Sequence, residues 1–144
     1  MTALLDINVL IALAWPNHVH HAAARNWFSG RGQSGWATCL LTEAGFVCVC
    51  CNPRAVQHEV TPNAAIHLLE RLKQVGNHSF WPLDRTTGDL PGEIVARLQG
   101  YRQITDAVLV AAAMQRGGEL ATFDAGLAGL VPGNGRRIVF AIPV

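Results

Sequence analysis

Charge is scarce in this chain. Only 15% of its 144 residues are Asp, Glu, Lys or Arg, and Lys73 is the sole lysine, the other ten basic residues being arginine. With a formal net charge of +1, the molecule lacks the field of a general polyanion binder. Arginine grips phosphate through two parallel hydrogen bonds, so its dominance among the bases is compatible with nucleic acid. No run approaches the roughly 18 consecutive apolar residues of a membrane span. No basic segment precedes the first hydrophobic run, and Asp6 and Asn8 interrupt the place where a secretory signal needs its apolar centre. These absences point to a cytoplasmic protein without a membrane segment. Cys39, Cys48, Cys50 and Cys51 stand alone, with no second CxxC or His pair at zinc spacing, and are read as reduced, buried small hydrophobes.

What the chain does have is apolar residues, at 50% of the total, which excludes disordered and fibrous classes. Its length suits one domain, residues 1–144, with a core that buries roughly two-thirds of the unfolded surface. Residues 2–5 read as a strand ending at Asp6, and residues 8–15 as a buried strand leading into a helix. A second helix ends at Gly30, and a turn at 31–35 precedes a strand at 36–41. Thr42 and Glu43 open a hydrophobic helix that stops at Asn52-Pro53. Thr61 caps a helix with Pro62 at its first position, carrying Ala65, Leu68, Leu69, Leu72 and Val75 on one side and ending at Gly76. Then come a strand at 78–83, a short helix at 93–98, a helix at 106–115 capped by Thr105, and strands at 120–123 and 138–142. Strands that alternate with helices predict an α/β fold, with a mostly parallel sheet covered on both faces.

Four of the ten acidic residues stand where an apolar segment gives way to a helix or loop: Asp6, Glu43, Asp106 and Asp124. An unpaired charge is costly in such a place. Ligands of parallel sheets bind beyond the carboxyl ends of the strands, which lets all four meet at one edge. Four carboxylates in close quarters repel, and Mg²⁺ or Mn²⁺ removes the conflict, because hard cations prefer carboxylate oxygens and keep several waters. Metal-assisted phosphodiester hydrolysis is the chemistry such a site suits. Taken singly, Glu43 and Asp106 also suit helix N-termini, and Asp6 and Asp124 also suit turns or ion pairs.

The carriers of these carboxylates are LLDINVLIAL at 4–13, LTEAGFV at 41–47, ITDAVLVAAA at 104–113 and LATFDAGL at 120–127. In that order and spacing the chain resembles PIN-domain toxins of the VapC family, over essentially its whole length. The resemblance implies a PIN-like three-layer α/β/α sandwich and a Mg²⁺- or Mn²⁺-dependent endoribonuclease, held inactive by a cognate VapB-type antitoxin. It also implies a homodimer, within a larger toxin–antitoxin assembly. By position, Asp6 and Asp106 resemble the principal metal ligands. Glu43 and Asp124 complete the pocket directly or through water, and Asn8, Thr105 and Thr122 orient the carboxylates. Hydrolysis by an activated water would leave a 5′-phosphate and a 3′-hydroxyl.

RNA near an acidic pocket needs positive charge at its rim. Arg102, just ahead of Asp106, is the first candidate, with Arg85, Arg136 and Arg137 behind it, while His18 and Trp15 are candidates for lining the approach. Trp36 and Trp81 read as core first and as base-stacking platforms second. His18 and His21 have a spacing that can place two imidazoles on one metal, but no third ligand stands nearby in sequence. The apolar residues at 48–51 and 108–114 exceed what one small sheet covers, which suggests a subunit interface. Two other readings stay open. One is a catalytically silent PIN-like module that binds RNA or protein. The other is an acidic-pocket phosphohydrolase or receiver-like domain, disfavoured because no carboxylate stands at residue 7 or 8 and no lysine near the C-terminus.

Overall fold

Alternation of apolar side chains along very short strands sets the architecture. In β1 (Ala3–Leu5), Leu4 joins one hydrophobic cluster while Ala3 and Leu5 join another on the opposite face. The same alternation recurs in β2 (Trp36–Thr38), where Ala37 sits with Leu4 and Trp36 with Leu5. It recurs in β4 (Glu119–Thr122), where Leu120 and Ala121 divide in the same way, and β5 (Val139–Ala141) places Val139 beside Leu120. With β3 (His78–Phe80), these strands form a five-stranded sheet in the order β3-β2-β1-β4-β5, every pairing parallel. The computed structural model that shows this describes residues 1–133 and 137–144.

Helices cover both faces. On one side lie α1 (Ile7–Ala14), α2 (His21–Gly30), α3 (Leu40–Cys50) and α4 (Pro62–Leu72). They pack Leu10, Phe28, Phe46 and Leu69 against Leu5 and Trp36. On the other side, α5 (Gly92–Val95) and α6 (Ile104–Gln115) pack Ile94, Leu109 and Val110 against Leu4 and Leu120. Leu4, Leu5 and Leu120 are fully buried, each stabilising the fold by about 1.5–3 kcal/mol through its removal from water. The result is a three-layer α/β/α sandwich.

Several elements differ from the sequence reading. Residues 8–15 are not a strand: α1 starts at Ile7, because Asp6 leaves β1 in an extended conformation and its Oδ1 accepts the Ile7 N–H at 2.7 Å. β2 ends at Thr38, since Leu40 already begins α3. Thr105 caps nothing. The 3₁₀ turn Tyr101–Gln103 runs straight into α6, so Gln103 and Ile104 are already in the right-handed helical region and Thr105 lies exposed within the first turn. The cap of α4 follows its signals: Thr61 Oγ1 accepts from Ala64 N at 3.1 Å, with Pro62 at the start. The connection to β3 turns at Gly76, whose φ of 68° only glycine adopts without strain.

The cysteines are all free, but only Cys39 and Cys50 are buried; Cys48 is exposed on α3. Trp36 and Trp81 are core residues, and the Trp36 Nε1–H donates to the Val75 carbonyl at 2.9 Å. Among the described residues no helix is long and apolar enough to cross a membrane.

Candidate active site

The strand order creates a crevice. From β1 the chain passes to β2 on one side, whereas β4 lies on the other and is entered from α6. A reversal of this kind leaves an opening at the carboxyl ends of the two central strands. Asp6 follows the last residue of β1, Thr122 ends β4, Asp124 comes two residues later, and Asp106 occupies the first turn of α6.

Thr122 is the hub of this crevice. Its fully buried hydroxyl donates to Asp6 Oδ2 at 2.7 Å and accepts from the backbone N–H of Asp124 at 3.0 Å and from Asn8 Nδ2 at 3.2 Å. Asn8 closes the network by accepting from Phe123 N through Oδ1 at 3.3 Å. Both Asp6 oxygens therefore have a donor, and Asp124 Oδ1 has one in Gly126 N at 2.9 Å. Among the described residues nothing donates to the Asp106 carboxylate.

Asp106 feels the other two aspartates. Burial, followed by the charges of Asp6 and Asp124, pushes Asp106 above the ordinary carboxylate value. Burial also raises Asp6, with a contribution from Asp124, against the downward pull of the Thr122 and Ile7 hydrogen bonds. Such elevation marks a place that would gain from a cation.

Glu43 is held apart from this group. One of its oxygens, Oε1, accepts from Thr38 Oγ1 at 2.6 Å and lies 3.0 Å from Lys73 Nζ. Since the single Thr38 proton goes to Glu43, His78 Nε2, 2.8 Å away, must be the donor to Thr38. Burial and the charge of Lys73 lower the pKa of His78. Burial works against the charge of Lys73, but the hydrogen bonds it donates to Glu70 and Glu43 hold its pKa above the usual value. Sequence reasoning missed Thr38, Lys73 and His78, and no local signal marks them, because strand pairing and the end of α4 bring them together.

The donor set fits a hard divalent cation in its chemistry, being carboxylate oxygens. Among the described residues no three His, Cys, Asp or Glu side chains enclose an ion by themselves.

Of the proposed rim residues, Arg102 and Arg85 are exposed. The Arg102 guanidinium lies over the Tyr101 ring, 5.7 Å from its centroid, and Arg85 lines a cavity of about 420 Å³ between residues 83–91 and α6. Arg136 lies outside the described residues. His18 is half-buried, its Nδ1 accepting from His20 N at 3.0 Å, and with Trp15 it lines a small cavity of about 180 Å³. Burial, then the neighbouring His20 and His21, lower its pKa. The His20 ring stacks on Phe123, the residue before Asp124, with 4.9 Å between centroids.

Comparison with known proteins decides the family. The model of the PIN domain matches residues 3–130. Ribonuclease VapC39 of Mycobacterium tuberculosis is 47% identical over 133 residues, which cover 89% of this chain and 92% of the relative. The chain is a PIN-domain protein of the VapC family. Solved PIN-like structures share the fold at low identity. FitAcB from Neisseria gonorrhoeae superposes with a TM-score of 0.62 at 19% identity, covering 97% of this chain and 96% of its own. The M. tuberculosis sarcin-ricin loop cleaving toxin VapC20 gives 0.57 at 12% identity, covering 89% and 93%. In this VapC-family chain the crevice between β1 and β4 therefore lies within the matched PIN domain.

Proposed function

We propose that this protein is the toxin of a toxin–antitoxin pair, a divalent-cation-dependent endoribonuclease acting in the cytoplasm. The observation that carries the reading is the Thr122 network, which draws Asp6 and Asp124 together beside Asp106 at the strand-order reversal. The relative VapC39 is named a ribonuclease and VapC20 a sarcin-ricin loop cleaving toxin, which agrees with that chemistry.

Mg²⁺ or Mn²⁺, when bound, would polarise a phosphoryl oxygen and make water a stronger nucleophile at neutral pH. Asp106 and Asp6 are the residues to hold it, since Asp106 has no competing donor among the described residues and Asp6 is fixed in place by Thr122 and Ile7. Asp124 and Glu43 orient the attacking water, one of them taking its proton. The water oxygen bonds to phosphorus as the P–O3′ bond breaks, and the departing oxygen is protonated from solvent. Products are a 5′-phosphate and a 3′-hydroxyl, with no 2′,3′-cyclic phosphate. Arg102 and Arg85 serve RNA phosphates. His18 lines the approach.

A cognate antitoxin restrains this activity, and a second copy of the chain covers the apolar face on which Leu40, Phe80 and Leu83 are exposed. The test is cleavage of RNA by purified protein with Mg²⁺ or Mn²⁺, beside Asp6→Ala and Asp106→Asn, with the ends of the products sequenced. Loss of cleavage in both variants is expected. Cleavage unchanged by both, or cyclic phosphate ends, would overturn the reading.

A further inference from the structure

The chain's only lysine bridges two carboxylates, those of Glu43 and Glu70. Lys73 Nζ and Thr38 Oγ1 both contact Oε1 of Glu43, at 3.0 Å and 2.6 Å. Neither contact is a loose surface pair, since the side chains of Lys73 and Glu43 are only 15% and 17% exposed and Thr38 is fully buried. His78 supports Thr38 from β3, and Glu70 holds Lys73 from the preceding turn of α4 at 2.7 Å. Thr38 of β2 and Lys73 at the end of α4 thus converge on a single atom, with β3 supporting Thr38 from behind. The other oxygen, Oε2, has no hydrogen-bond partner among the described residues, and it is not a buried orphan, the one such atom being Trp27 Nε1. Oε2 therefore reaches solvent.

This asymmetry has a chemical meaning. A carboxylate whose two oxygens are both free can close on a cation in bidentate fashion, whereas one whose Oε1 is occupied by an ammonium and a hydroxyl can offer only Oε2. Lys73 also offsets the charge of Glu43. We propose that Lys73, with Thr38 and His78, is a positioning clamp that confines Glu43 to action through Oε2. Glu43 then orients water at the edge of the aspartate group and stays out of the direct coordination of the cation. This inference rests on the proposed nuclease site and assigns a division of labour within it. Lys73 itself touches neither RNA nor cation.

Partners that orient a site's first ligands typically contribute about 10- to 100-fold in activity or metal affinity. The test uses Lys73→Met, Glu43→Ala and their double variant, with kcat and KM measured on a synthetic RNA oligonucleotide. Mn²⁺ affinity is measured in the absence of RNA by electron paramagnetic resonance. Lys73→Met is expected to lower kcat about 10-fold or more with little change in KM or in Mn²⁺ affinity. In the Glu43→Ala background it should lower kcat no further, because it acts only through Glu43. Thr38→Val should give the same pattern and serves if Lys73→Met unfolds at the assay temperature. A bridge that merely tied α3 to α4 would instead lower the melting temperature and leave kcat intact, overturning the proposal. Additive losses in the double variant, or weakened Mn²⁺ binding in Lys73→Met, would overturn it too. Full activity in Glu43→Ala would remove Glu43 from the site and the clamp with it, while cleavage that needs Asp6 and Asp106 would leave the nuclease reading standing.

Discussion

Replacing Thr122 by valine removes one hydroxyl while keeping the side chain's shape, and the consequence can be worked out bond by bond. The hydroxyl donates to the Asp6 carboxylate at 2.7 Å, and a hydrogen bond to a charged group contributes about 1.5–3 kcal/mol. It also accepts the Asp124 N–H at 3.0 Å, a further 0.5–1.5 kcal/mol or about that. The Asn8 amide, at 3.2 Å and only partly buried, can turn to water and adds little. Against these losses, a buried methyl in place of the hydroxyl returns about 1 kcal/mol. The net destabilisation is about 1–3.5 kcal/mol, readable as a lower urea midpoint at unchanged slope. The variant should also move the acid limb of RNA cleavage to higher pH, because the Thr122 bond is what pulls Asp6 down against its burial. Thr122→Ser keeps the hydroxyl and should lose only the small packing contribution of a methyl. A valine variant with the parent's midpoint and acid limb, or a serine variant as damaged as the valine one, would refute the reasoning.

Two further outcomes follow from the same structure. Asp6 and Asp106 both titrate above the ordinary value of 3.8 when folded, so their contribution to stability is complete below 3.8 and is lost as pH rises through the raised folded values. Cation-free Asp106→Asn should therefore gain stability relative to the parent as pH climbs from 3.8 toward neutrality, in thermal melts taken across that range, and an equal difference at every pH would contradict the charge argument. At Gly45 an added Cβ would overlap the Ile7 side chain, where α3 crosses the start of α1. Gly45→Ala gains about 1 kcal/mol of helix preference but meets an overpacking cost of about 1–3 kcal/mol, so it should lower both stability and cleavage; Ile7→Val in the same chain should restore part of each, and no rescue would argue against the contact.

Residues that act through their immediate neighbours were legible in the sequence. Thr61-Pro62 announced α4, and the apolar runs ending in Asp6 and Thr122 announced the two central strands. What failed was local ambiguity. Asn8 to Trp15 is apolar enough to pass for a strand, and only the cap made by Asp6 settles it as helix. Thr105 carries a capping residue's chemistry, yet a preceding 3₁₀ turn had already started the helix. Glu43 was legible as an acidic residue at a helix start, but its tie to Lys73 was not, because that contact depends on how α4 lies against α3. Exposure of Leu40 and Cys48 was likewise hidden, since a uniformly apolar helix gives no sign of which side faces out.

The position of β1 also governs the order of assembly. It is made early, yet it is the central strand, and its neighbour on one side, β4, is made only after α6. Thr122 and Asp6 meet across 116 positions of sequence. A nascent chain emerging from the ribosome consequently displays Asp6 long before it can acquire Thr122 and Asp124. Closing so large a loop is slow compared with forming any of the helices. The acidic crevice is thus among the last features to be completed during synthesis, and a chain interrupted before β4 lacks both Thr122 and Asp124.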